Sequence, residues 1–162
     1  KDPKQRIGDI HDVRLALEHP GAVERGPHFA TEHWGGPGAD MVYDPYRDYL
    51  GKQVMTPVVA RAQKLVKEPS LRERASPALR VALDLERAKT CGEYREVVLR
   101  AEKDVDERSL YKLEALRVRK GCGPFATKDC FLCLRSPEVP LEPAIEAAKK
   151  RPAPALLSGA AR

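Results

Sequence analysis

Aromatic side chains are scarce in this chain, at 6% of its residues, and long apolar runs are missing altogether. No stretch approaches the roughly eighteen consecutive apolar residues that a helix needs to cross a bilayer, so nothing in the sequence spans a membrane by itself. No nucleotide-binding glycine loop, Ser-His-Asp set or paired-carboxylate pattern is present, which leaves no catalytic residue to nominate and no cofactor to assign. No strand-helix-strand pattern surrounds the single C-x-x-C, and this argues against a thioredoxin-type redox centre. Charge of one sign is missing too. Lys and Arg number 29 and Asp and Glu 24, so the net charge is only +5 and the two signs are interleaved over a solvated, ion-paired surface.

What the chain does have is proline, at 14 residues in 162. With 42% hydrophobic residues and a mean hydropathy of -0.50, that composition points to a thin core and to dependence on partners. The chain starts at Lys1 rather than Met, which fits a processed form whose organellar import segment has been removed.

Residues 1–51 read as a Gly/Pro-rich arm with one short helix. Asp9 caps that helix, and Ile10, Val13 and Leu17 form its apolar face ahead of Pro20-Gly21. From Gly21 to Gly51 the punctuation by Gly26-Pro27, Gly35-Gly36-Pro37-Gly38 and Asp44-Pro45 leaves no period of two or 3.6. Five of the nine aromatic residues, Phe29, Trp34, Tyr43, Tyr46 and Tyr49, lie in this arm, which is therefore expected to be extended and laid on another protein. His11, His19, His28 and His33 lie here as well, on a backbone too irregular to frame a metal site.

Residues 52–134 read as a helical body. Thr56-Pro57 is an N-cap followed by proline at the first helical position, and Val58, Val59, Ala62, Leu65 and Val66 follow as an amphipathic stripe. Ser76-Pro77 repeats the start signal for a helix that carries Leu79, Ala82, Leu83 and Leu85 to about Thr90. The third pattern, from Glu93 to Lys120, has stripes Tyr94, Val98, Ala101, Val105 and Leu110, Leu113, Leu116, rotated by roughly 140° relative to each other. No Gly or Pro interrupts it, so one continuous helix of about 42 Å showing two faces is expected. A turn near Asp106 is the alternative.

All four cysteines lie in this body, and Cys91, Cys122, Cys130 and Cys133 are candidate disulfide residues with the pairing unassigned. Along a straight helix Cys91 lies far beyond the roughly 4.4 to 6.8 Å that a disulfide allows from Cys122, whereas a hairpin brings them together. Structural zinc on Cys130, Cys133, Cys122 and either Cys91 or a histidine is a second possibility, and free buried thiols a third. Residues 135–162 are a Pro-rich extension with one short helix from Pro143 to Lys150, solvated or partner-bound from Arg151 onward. The expected fold is all-α, built of extended helices with long irregular arms at both ends and no independent compact core.

The run Ala101-Glu102-Lys103-Asp104-Val105-Asp106-Glu107-Arg108, followed by Leu110, Leu116-Arg117-Val118-Arg119-Lys120, Cys122 and Cys130, resembles the charged helix and cysteine pair of the PDSW accessory subunits of mitochondrial respiratory complex I. The Lys52-to-Val59 helix start and Cys91 fall in a similar order, so the resemblance covers Lys52 to Cys133. It departs in the closer spacing of Cys122 and Cys130, the extra Cys133 and the long Gly/Pro-rich front. The resemblance implies a non-catalytic structural subunit of the membrane arm on the intermembrane-space side of the inner membrane. Such a subunit is peripheral to the bilayer, with oxidised cysteines and other subunits as partners. Two alternatives compete with this: a mitochondrial ribosomal protein contacting rRNA through Lys149-Lys150-Arg151 and Arg117 to Lys120, and a zinc-binding structural protein. Glu146 and Glu114, close to the two basic clusters, weigh against nucleic acid.

Overall fold

The computed structural model describes residues 36–154. The expected helix at Ile10 to Leu17, the four histidines, Phe29 and Trp34 lie outside the described residues. The fold is all-α, with seven α-helices and no strand among the described residues. The chain divides into two compact units, the second of which is Pro77–Ala153.

In the first unit, α1 (Gly36–Lys52) packs on α2 (Pro57–Val66), and both meet the short α3 (Pro69–Arg74). Helix α1 corrects the expectation of an irregular arm up to Gly51. Its sequence shows no 3.6 period because residues 38–44 are covered on every side: Ala39, Met41, Val42 and Tyr43 are at most 1% exposed, and Asp40 and Asp44 are buried among them. Burial overrides the helix-breaking Pro45, which lacks the N–H that would reach the Met41 carbonyl. Asp40 accepts a hydrogen bond from the Ser76 hydroxyl at 2.9 Å, so its polar tip is satisfied. Helix α2 begins as its sequence predicts. The Thr56 hydroxyl accepts from the Val59 amide at 3.2 Å, Pro57 opens the helix, and Val59, Ala62 and Val66 form the buried stripe.

The second unit comprises α4 (Pro77–Arg87), α5 (Cys91–Asp104), α6 (Leu110–Leu116) and α7 (Leu141–Lys150). A capping box starts α5. The Thr90 hydroxyl accepts from the Glu93 amide, and the Glu93 carboxylate accepts from the amides of Thr90 and Lys89 at 3.0 and 2.7 Å. These two amide donors hold the Glu93 carboxyl below its ordinary pKa, the Lys89 amide contributing most.

The expected continuous helix from Glu93 to Lys120 is a hairpin instead. Helix α5 stops at Asp104, Val105 is extended, and a 3₁₀ turn over Glu107–Ser109 leads into α6. Asp106 is the cause. Its carboxylate accepts the Arg108 amide at 3.0 Å and the Arg108 guanidinium at 2.6 Å, and the two side chains are 7% and 1% exposed. Local capping by a carboxylate thus ends the helix at a point where neither Gly nor Pro stands. The offset between the two apolar stripes is the mark of this turn.

Arg151 closes the same corner. Its guanidinium donates to the carbonyls of Glu102 and Lys103 at 3.0 and 2.6 Å, which α5 leaves without intrahelical donors, and its own carbonyl accepts from the Glu107 amide. The stretch beginning at residue 135 is therefore built into the unit rather than extending from it as far as Arg151. Helix α7 starts two residues before the expected Pro143 and lies on α5 and α6. Leu141, Ala144, Ile145 and Ala148 join Val81, Leu85, Val98, Ala101, Val105, Leu113 and Leu134 in one core. That core is made of small and aliphatic side chains. Its aromatics, Tyr94 and Phe131, are only partly buried and meet edge to face with ring centroids 5.4 Å apart.

Candidate functional site: a loop framed by two disulfides

After Leu116 the chain leaves the core and builds a segment without α-helix, returning to the core at Leu134. Two disulfides frame it. Cys122 is joined to Cys130 with Cα atoms 5.1 Å apart, and Cys133 to Cys91 at the start of α5 with Cα atoms 6.0 Å apart. All four cysteines singled out in the sequence are thereby brought together in pairs, and none is free. The C-x-x-C is the meeting point of two separate bridges. With every sulfur in an S–S bond, the thiolates required by the zinc alternative are absent, and no group of three or more potential metal ligands forms among the described residues.

The small ring is braced from within. Cys122 and Lys128 pair as an antiparallel bridge through amide-carbonyl bonds of 3.0 and 2.9 Å, and the Gly121 amide donates to the Ala126 carbonyl at 2.9 Å. Gly121 and Gly123 supply the positive φ that this neck requires. At the tip, Phe125 and Ala126 also adopt positive φ, 64° and 52°, an arrangement that costs on the order of 1 to 3 kcal/mol per residue for a non-glycine side chain. Phe125 gains no burial in return: it is 95% exposed. Leu132, in the turn between Cys130 and Cys133, is 73% exposed.

Beneath the ring the polar groups are well matched. The Arg135 guanidinium holds the Asp129 carboxylate through bonds of 2.6 and 3.1 Å and donates to the Val118 carbonyl at 3.0 Å. The Phe131 amide donates to Asp129 at 2.7 Å. Arg135 first, and then this amide, draw the Asp129 carboxyl below its ordinary pKa. Lys120 and Lys128 stand exposed at the neck, and the Lys128 stem lies over the space that a Gly123 Cβ would fill.

The basic clusters proposed for RNA are partly engaged elsewhere. Arg117 pairs with Glu142 at 2.9 Å, Lys149 with Glu146 at 3.1 Å, and Arg151 caps α5. Nothing in the sequence marks Phe125 as the residue on display. The flanking Gly-Cys-Gly-Pro signals only a tight turn. Asp129 and Arg135, six residues apart, likewise form no pattern that sequence alone marks as a pair.

Comparison with protein-family models, curated proteins and solved structures finds no match for this chain. Among the described residues no helix is long and apolar enough to cross a membrane.

Proposed function

We propose that this chain is a non-catalytic structural subunit of a larger protein assembly in an oxidising compartment. Its specific setting is the intermembrane-space side of the complex I membrane arm. The observation that carries the reading is the pair of disulfides, Cys91 to Cys133 and Cys122 to Cys130, which consume every cysteine to brace a helical unit. Bridges of this kind persist where glutathione and thioredoxin do not reduce them. The mitochondrial setting rests on the resemblance over Lys52 to Cys133. The exposed, rigid loop supplies a feature suited to holding a neighbour.

Intact mass after alkylation without reductant tests the chemistry, and co-migration with the respiratory complexes on native gels tests the setting. Two disulfides with no alkylated thiol, and co-migration with complex I, are expected. Four alkylated thiols, or co-sedimentation with ribosomes that is lost at high salt, would overturn the reading.

A further inference from the structure

We infer that the Cys122 to Cys130 ring is a docking plug, in which Phe125 enters an apolar pocket rimmed by Asp or Glu on a partner protein. The inference shares with the preceding section only the premise that the partner is a protein.

Four observations converge on the ring. Its tip carries an aromatic side chain that is 95% exposed, where an isolated chain gains nothing by placing it. The backbone beneath that side chain is held in positive φ at two successive non-glycine residues, so the display is enforced and not a relaxed default. Covalent closure and the Cys122 to Lys128 bridge fix the ring before any partner arrives, which removes the ordering cost that weakens a flexible loop. Lys120 and Lys128 stand exposed at the neck, while the carboxylate within the ring, Asp129, is already held by Arg135. The free charge beside the aromatic is therefore positive, and its complement is an acidic rim.

A protein pocket suits these features better than a lipid surface. A single phenylalanine with two lysines is a weak bilayer anchor, and bilayer insertion rewards no particular backbone geometry. A buried aromatic anchor in a fitted pocket is the usual centre of a protein interface.

The test uses the full oxidised chain with a benzophenone amino acid at position 125, irradiated in the cells that express it. Crosslinks are expected on one protein, at apolar residues bordered by Asp or Glu. For that protein once purified, Phe125→Ala should weaken binding at least about 30-fold and Lys128→Glu about tenfold, with affinity falling as salt rises. The double variant C122S/C130S keeps Phe125 and should also weaken binding, because its tip is no longer fixed. Since Phe125 touches little of its own chain, an unchanged near-ultraviolet spectrum and disulfide mass establish that Phe125→Ala still folds.

Crosslinks scattered over many proteins, or equal affinity of Phe125→Ala and the parent chain, would overturn the proposal. Phe125-dependent binding to vesicles containing anionic phospholipid, without a protein crosslink, would overturn it in favour of a lipid surface. A chain that fails to co-migrate with complex I but crosslinks as expected would sink the preceding reading and leave this one standing.

Discussion

Two of the bends in the second unit are held by opposite means. At residues 105–109 the bend is internal. Asp106 and Arg108 pair almost out of reach of water, Val105 and Ser109 are fully buried, and Arg151 ties the corner to the end of α7. At residues 122–130 the bend is external: it has a covalent clasp and a few backbone bonds, and no residue inside it is buried. The first bend is stable because the core needs it. The second would not be expected to persist without its disulfide, so its shape is retained for something other than the stability of the unit.

Variants should separate the two. The largest loss is expected from C91S/C133S. That bridge closes 42 residues and clamps the loop segment to the start of α5, and the chain-entropy estimate for such a loop is about 4 kcal/mol. Urea titration would measure it, with an m-value that rises because the unfolded chain is no longer cross-linked. Asp106→Ala should follow at about 3 kcal/mol, because it removes from the buried Arg108 guanidinium the carboxylate that accepts from both its Nε and its Nη2. Asp106→Asn should cost less, since the amide oxygen still accepts the Arg108 N–H. Removing the Cys122 to Cys130 bridge, which spans 8 residues, should cost no more than about 2.5 kcal/mol. It should also leave amide-exchange protection in α7 intact. Equal loss of protection in α7 from both disulfide deletions would abolish the distinction between an internal and an external bend.

Smaller effects should come from the polar anchors. Thr90→Ala removes half of the capping box and should cost about 1 kcal/mol in thermal or urea unfolding. Glu93 and Asp129 both titrate below their ordinary values in the folded chain. The unfolded chain therefore takes up protons first as pH falls. Their contribution is fully present above the ordinary carboxylate range of about 4, and it is lost as pH descends through the lowered folded values. The acid limb of a pH-stability profile should flatten in Glu93→Gln and Asp129→Asn.

Much of the helical framework is legible in the sequence. Thr56-Pro57 and Ser76-Pro77 announce α2 and α4, and the all-α class follows from such signals. Helix α1 was not legible, because a segment covered on all sides carries no alternation to read, and Gly36, Pro37, Gly38 and Pro45 argue locally against the helix that burial imposes. The hairpin left a trace in the rotated stripes. In the sequence alone the trace implies a helix with two faces, because the residue that ends the helix is a capping aspartate and not a breaker. The four cysteines were legible as a set, but their partners were not, because the choice depends on where Phe131 and Leu134 settle. Phe125 could not be nominated at all: exposure is a property of the folded surface.

The spacing of the cysteines has a consequence for how the chain acquires its bonds. Cys130 and Cys133 are three residues apart, and Cys122 lies 8 residues from the one and 11 from the other. By loop closure alone, joining Cys122 to Cys130 is favoured over joining it to Cys133 by only about 0.3 kcal/mol. An unfolded chain exposed to oxidant has almost no preference for its own pattern and should scramble. Fidelity must come from packing that precedes oxidation. Phe131 against Tyr94, with Leu134 in the core, turns Cys133 toward Cys91 and leaves Cys130 to the ring. The finished bridges thus record that α5 and the Leu132–Leu134 turn docked correctly before the thiols were spent.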